Sequence, residues 1–272
     1  VSGDEANSFY HDTHNLEGKC DYVMANPPFN VDKVKSESAW AAGRLPFGLP
    51  GVNAKSKEIG NANYLWISYF YAYLNDHGRA GFVMASSATD SANKDRDIRE
   101  KLVRTGDVDV MVSVGNNFFY TLSLPCSLWF FDKNKRAENR DKVLFIDARN
   151  YYTVVDRTLN EWTEWQLRNL QAIVHLYRGE TEKYQALLND YRQVLGDITV
   201  ASAQAALDKQ KAEAKEAIAN ASRKDKKRIE AEMKAMIDEL EDTLETARQY
   251  EWLTEKFGEG EYKDVLGLCK IA

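Results

Sequence analysis

The chain has 272 residues, of which 44% are hydrophobic and 11% aromatic, and its 36 basic and 42 acidic side chains give a net charge of −6. That length and apolar content suit one large globular domain or two smaller ones, and the acidic balance excludes a global positive field, so any contact with nucleic acid needs a local patch or a partner subunit. Cys20, Cys126 and Cys269 are too scattered for a disulfide frame or a zinc site and fit a reducing cytoplasm, and His11, His14, His77 and His175 form no ligand pair. No run of about eighteen apolar residues predicts a membrane span, and the N-terminus carries no basic-then-apolar leader pattern.

In chain order, an apolar run over residues 22–25 predicts a buried strand, and Asn26-Pro27-Pro28-Phe29 follows it directly. Residues 30–60 carry Gly43, Gly48, Gly51, Gly60, Pro46 and Pro50 with few periodic apolar positions, which predicts a long loop of the functional or mobile kind. Tyr64, Leu65, Ile67, Tyr69, Phe70, Tyr73 and Leu74 predict a buried helix over 63–75, ended by His77-Gly78. A strand over 81–85, an amphipathic helix over 95–105 ended by Gly106, a strand over 108–114 and an aromatic-rich loop over 116–125 come next. Strands over 127–131 and 142–146 are separated only by a charged loop, which predicts an antiparallel pair at one edge of an otherwise parallel α/β sheet with helices on both faces.

After about residue 156 the composition changes, with almost no Gly and no Pro. Trp162, Trp165, Leu167, Leu170, Ile173, Val174 and Tyr177 share one helical face. Further on, Ile229, Met233, Met236, Leu240, Leu244 and Ala247 form a stripe at 3–4 spacing, with residues 222–227 as a tight link before it. The stripe belongs either to an internal helical hairpin or to a subunit interface, and the balanced charges around it read as a solvated face. The expected division is therefore 1–156, an α/β region, and 157–272, a helical region.

Asn26-Pro27-Pro28-Phe29 carries the chemistry. An exocyclic amine on an aromatic base is a poor nucleophile because its lone pair is delocalised into the ring. Acceptors aimed at its two N–H bonds help it pyramidalise and attack a methyl donor; the Asn26 side-chain oxygen and the Pro27 carbonyl can be those acceptors, and tandem prolines aim the backbone in advance. Phe29 offers a ring face on which an extruded base can stack. The plain alternative for these four residues is a rigid turn that closes a strand.

Four blocks in order, EANSFYHDTHNLEGKCDYVMANPPFN, ANYLWISYFYAYLNDHGRAGFVMAS, NNFFYTLSLPCSLWFFDKNK and KVLFIDARNYYTVVDRTLNEWTEWQLRNLQAIVHLYRGE, resemble the modification subunit of type I restriction–modification systems, the N6-adenine DNA methyltransferases. The likeness runs from about Gly3 to Tyr184. It implies a partial Rossmann-like class I methyltransferase sheet, the C-terminal half of a catalytic domain over 1–156, and a helical, coiled-coil-like partner-docking tail over 157–272. It implies Asn26, Pro27, Pro28 and Phe29 as the catalytic motif, Asn7 with Asn26 and Pro27 as contacts to S-adenosylmethionine, and Phe118, Phe119 and Tyr120 beside Phe29 at the target base. The implied partners are DNA, a specificity subunit bound by two modification subunits, and the restriction subunit. The family's glycine-rich turn and its acidic ribose ligand do not occur in the 25 residues before Asn26, and Gly258-Glu259-Gly260 lacks the strand–turn–helix setting to replace them. The expectation is accordingly the C-terminal part of a modification subunit, inactive alone. The competing readings are an RNA or protein-glutamine methyltransferase using the same chemistry, and a non-catalytic scaffold fragment.

Overall fold

The computed structural model describes residues 3–120, 123–222 and 224–258. It divides between Glu161 and Trp162 into two compact units. Cys269, the Glu259-Gly260 pair and Arg223 of the expected helical link lie outside the described residues.

In the first unit, β1 (Cys20–Ala25) leads through a connection holding β2 (Val34–Lys35), α1 (Ser36–Ala41) and β3 (Glu58–Ile59) into α2 (Asn63–Tyr73). Then come β4 (Leu74–Ala85), α3 (Asn93–Arg104), β5 (Val108–Val114), β6 (Cys126–Asp132), β7 (Leu144–Ala148) and the small pair β8 (Thr153–Val154) and β9 (Asn160–Glu161). The central sheet has the order β1-β4-β6-β5-β7. β1 and β4 are parallel, β5 and β7 are parallel, and β6 runs antiparallel between β4 and β5.

The antiparallel strand is therefore internal, which corrects the expected antiparallel edge. β6 pairs with β5 from Val114↔Cys126 downward and with β4 from Ala85↔Cys126 to Arg79↔Asp132. With both sides of β6 taken, β7 cannot pair with it and joins the outer side of β5 instead, where it lies parallel. A charged connection between two strands says nothing about whether the chain skips over a neighbour on the way.

β1 is also less buried than its apolar run suggests. Val23 and Ala25 pack on the core, but Tyr22 is exposed and Met24 is 90% exposed. β1 is an edge strand covered on one face, so alternate side chains are left outside.

α2 is buried from Asn63 to Phe70 on every side, as its nearly unbroken apolar sequence requires. Phe70 meets Phe82 at 4.9 Å between ring centroids, Phe82 meets Phe131 at 5.1 Å, and Tyr64 sits edge-on to Trp129 at 6.4 Å. Ala39 of α1 and Ile98 and Leu102 of α3 join this cluster. The expectation of helices on both faces is thus met on one face only by this unit's own helices. Both crossovers, β1 to β4 and β4 to β5, advance the same way across the sheet, and a right-handed connection then places α2 and α3 on the same side.

The second unit is helical: α4 (Glu164–Tyr177), α5 (Thr181–Leu195), α6 (Val200–Asn220) and α7 (Lys226–Phe257). Thr163 and Gln166 form a reciprocal capping box at the start of α4, and Thr199 and Ser202 do the same for α6. α4 and α5 close on the end of α7 through Ala172, Leu176, Tyr184, Leu188, Leu253 and Phe257. α6 and α7 pair through Ala203, Leu207 and Leu244, with Val200, Ile237 and Leu240 around them, and Lys211 and Glu241 bridge the two helices at 2.6 Å. Of the two readings of the stripe, this part of it is internal hairpin. Toward the tip it opens, and Met236 is 46% exposed.

Candidate active site

The chain leaves β1 at Ala25 and enters Asn26-Pro27-Pro28-Phe29 at the carboxyl end of the strand, where open α/β sheets bind ligands. Asn26 and Pro28 are exposed, Pro27 is buried, and Phe29 is half-buried against the core. Pro27 and Pro28 have no N–H to satisfy and hold fixed φ angles, so the turn needs few internal bonds.

The far end of the turn is tied to α2. Asn30 adopts a left-handed backbone with φ 55°, a conformation that Asn tolerates. Its N–H donates to Asn63 Oδ1 at 2.9 Å, and its Oδ1 accepts from Asn63 Nδ2 at 2.9 Å and from Asn61 Nδ2 at 3.0 Å. The Ala62 N–H donates to the Val31 carbonyl at 2.9 Å.

Asn7 lies in an exposed turn whose Oδ1 accepts the Phe9 N–H at 3.1 Å and whose carbonyl accepts the Tyr10 and His11 N–H groups. This turn also rests on α2. The Phe9 ring lies 4.4 Å from that of Trp66, and the Tyr69 hydroxyl, pushed up to a pKa of about 12 by burial, donates to the Phe9 carbonyl at 2.8 Å. Arg44, only 2% exposed, donates through Nη1 to the Ser8 carbonyl at 3.2 Å and to the Tyr73 hydroxyl at 2.6 Å, with its guanidinium 4.2 Å over the Tyr69 ring. Its Nε and Nη2 meet no acceptor among the described residues. Asn63 and Trp66 are three positions apart, close to one helical turn, so α2 is a common shelf for the Asn26–Asn30 turn and the Asn7–Tyr10 turn.

The three aromatics after β5 separate. The Phe119 ring stands edge-on to Phe29 at 6.1 Å, whereas Phe118 turns to Tyr152 at 6.1 Å and Tyr120 is exposed. The structure therefore brings Phe119 beside Phe29 and does not bring Phe118 there. Two features fix the loop base. At Gly115 a side chain would come within 2.6 Å of the Arg149 carbonyl, so only glycine fits, and Asn160 donates from Nδ2 to the Asn116 carbonyl at 3.0 Å and from its N–H to the Asn117 carbonyl at 2.7 Å. Sequence reading missed Asn160, Asn61, Asn63 and Arg44. No local pattern marks them, because each acts on a turn far away in the chain.

A groove of about 630 Å³ opens between α3 and the sheet, lined in part by Val103, Met111, Trp129 and Phe145; none of the expected site residues borders it. Among the described residues no group of His, Cys, Asp and Glu could hold a metal ion, and no helix is long and apolar enough to cross a membrane.

Residues 2–191 match the N-6 DNA Methylase family. The MjaIX methylase subunit of a type I restriction enzyme from Methanocaldococcus jannaschii is 37% identical over 179 residues, which cover 64% of this chain and 31% of that protein. The HindI methylase subunit from Haemophilus influenzae is 29% identical over 174 residues, covering 64% of this chain and 37% of that one. The chain thus spans about a third of the length of these relatives. The crystal structure of a type I restriction–modification methyltransferase subunit from Streptococcus thermophilus superposes with a TM-score of 0.53 at 24% identity, over 62% of this chain and 34% of that one, and shares its fold. The match runs through the turn after β1, the sheet and the first helices of the second unit, and the chain belongs to the N-6 DNA Methylase family.

Proposed function

We propose that this chain carries the target-base side of an adenine-N6 DNA methyltransferase, the modification subunit of a type I restriction–modification system, with S-adenosylmethionine as methyl donor. The observation that supports it most is Asn26-Pro27-Pro28-Phe29 at the carboxyl end of β1, inside the family match. A DNA methylase family and methylase-subunit relatives weigh against the RNA and protein-glutamine readings.

The residues present suit one end of the donor. The Asn7 side-chain Oδ1 already accepts the Phe9 N–H, so Asn7 offers its NH₂ group, a donor that fits the acceptor nitrogens of an adenine ring. Asn26 and Pro27 border the same cofactor site in this proposal. Bound S-adenosylmethionine supplies an electrophilic methyl carbon. The chain's own work is at the other reactant. Phe29 stacks on an adenine extruded from the duplex, and Phe119 closes its edge. Asn26 Oδ1 and the Pro27 carbonyl accept the two N6 hydrogens and localise the lone pair on nitrogen. As the new C–N bond formed, the methyl carbon's bond to the donor sulfur would break and leave a neutral thioether, and the departing N6 proton would stay hydrogen-bonded at one of these oxygens until water took it. No side chain with a shifted pKa is needed, since the step depends on alignment and on fixed dipoles.

Site choice would belong to a specificity subunit, shared by two modification subunits and joined by the restriction subunit, with the helices of 157–272 as the docking region. The test is to supply the assembled enzyme with methyl-labelled donor and equal amounts of DNA, RNA and protein. Label recovered as N6-methyladenine in DNA supports the proposal, and label in RNA or in a glutamine amide refutes it.

Arg44 gives a prediction with an unusual sign. Its buried charge has two nitrogens, Nε and Nη2, without acceptors among the described residues, so Arg44→Met should leave the melting temperature unchanged or raise it. The bond that holds Ser8 is lost, so donor affinity should weaken by roughly tenfold, given about 1.5–3 kcal/mol for a hydrogen bond to a charged group. Calorimetric titration of the donor beside a thermal melt checks both halves; a lower melting temperature with unchanged affinity would contradict it.

A further inference from the structure

We infer that Asn63, with Asn61, is a positioning residue for methyl transfer, setting the angle at which Asn26, Pro27 and Phe29 meet the target amine. The inference rests on the proposed function and adds residues that lie outside the motif.

The two prolines fix their own φ angles but leave the turn free to swing about its exit. That exit is Asn30, and Asn63 grips it at two points, the backbone N–H and the side-chain oxygen, each at 2.9 Å. Two bonds between the same two residues stop rotation where one would not.

Asn63 is spent on this task alone. An Asn at a helix start ordinarily caps its own helix, yet Ala62 precedes α2, and it is Asn61 whose Oδ1 accepts the Asn63 N–H, so the Asn63 side chain is left for another partner. The amide is 3% exposed and turned to Asn30 instead.

The network admits one arrangement of its amides. Asn63 Oδ1 must face the Asn30 N–H, and Asn61 Oδ1 must face the Asn63 N–H, which donates to it at 2.9 Å. Asn30 Oδ1 is then left to receive both NH₂ groups. Reversing any amide sets donor against donor. The same helix carries the Asn7–Tyr10 turn through Trp66 and Tyr69. Asn63 therefore references the acceptors for the base to the scaffold that holds the proposed donor contact.

Two variants test this in the complete modification subunit assembled with its specificity subunit. Asn63→Asp keeps the acceptor for the Asn30 N–H but aims an oxygen at Asn30 Oδ1, and turning the Asn30 amide would only oppose it to Asn61. Asn30→Gly keeps the left-handed backbone without strain and removes both side-chain bonds. Each should lower kcat by about tenfold to a hundredfold, the cost of a misplacement near 1 Å, with donor affinity within about twofold of wild type. Fluorescence of 2-aminopurine at the target position should still report base extrusion.

Near-wild-type kcat in both variants overturns the inference. So does a loss of kcat matched by loss of donor affinity and of melting temperature, because a merely structural network would act that way. If the wild-type enzyme transfers no methyl group to adenine, the proposed function fails and takes this inference with it. An active wild type with unimpaired variants sinks the inference alone.

Discussion

Asn26→Ala should reduce methyl transfer by at least about a hundredfold while folding stays near wild type. Removing one preorganised hydrogen-bonding partner of a transition state costs on the order of 10²–10³ in rate, and Asn26 is one of only two acceptors proposed for the N6 hydrogens. Its side chain is exposed, so no core packing is lost and the melting temperature should move little. Single-turnover transfer from labelled donor measures the effect without interference from product release. Asn26→Asp should be milder than alanine at the acceptor position, but it places a negative charge near the base. A variant with alanine at 26 that transfers at the wild-type rate would remove this residue from the chemistry.

The second large effect is on the helical unit. Leu244 is 4% exposed between α6 and α7, against Leu207 and Ala203. Leu244→Glu forfeits that packing, a loss of about 2–5 kcal/mol for truncation alone, and adds the desolvation of a carboxylate. The midpoint of the helical signal near 222 nm should fall by roughly 10 °C or more, taking about 4–8 °C per kcal/mol for a unit of this size. Met236→Glu is the control. It lies on the same stripe but is half-exposed, so it should change stability by no more than about 0.5 kcal/mol. If the open end of the hairpin docks a specificity subunit, this control should weaken that association and leave the melt untouched. Equal destabilisation by both would mean that the hairpin is packed along its whole length.

What the sequence made legible was local. The run Val108–Val114 is strand β5 residue for residue, and the helix expected over 63–75 is α2, although it ends at Tyr73, and Leu74 and the expected His77-Gly78 stop belong to β4. Periodicity and turn residues carry that much, because they depend on neighbours a few positions away. The aromatic stripe after Asn116 was legible as a loop beside the motif, yet only Phe119 reaches Phe29. The base of that loop is held by Asn160, whose partner Asn116 is 44 positions distant.

Strand order was hidden for a similar reason. An apolar run such as Ser127–Phe131 reads the same as an internal or an edge strand, and only its pairing with both β4 and β5 made it internal. Arg44 was the least legible of all. Arginine is mostly exposed, and nothing in its glycine-rich surroundings announces a guanidinium lying over Tyr69 and bound to Tyr73. Asn63 reads from sequence as a helix-start residue, and its real partner is 33 positions away across the same connection.

A photochemical footprint tests directly whether an extruded adenine stacks on Phe29 beside Asn26. The target adenine in a short duplex is replaced by 5-iodouracil, the assembled enzyme is irradiated on it, and tryptic peptides are mapped by mass spectrometry. An adduct is expected at Phe29, in the tryptic peptide spanning residues 20–33. An adduct confined to peptides elsewhere in the chain, with none at Phe29, would contradict that stacking.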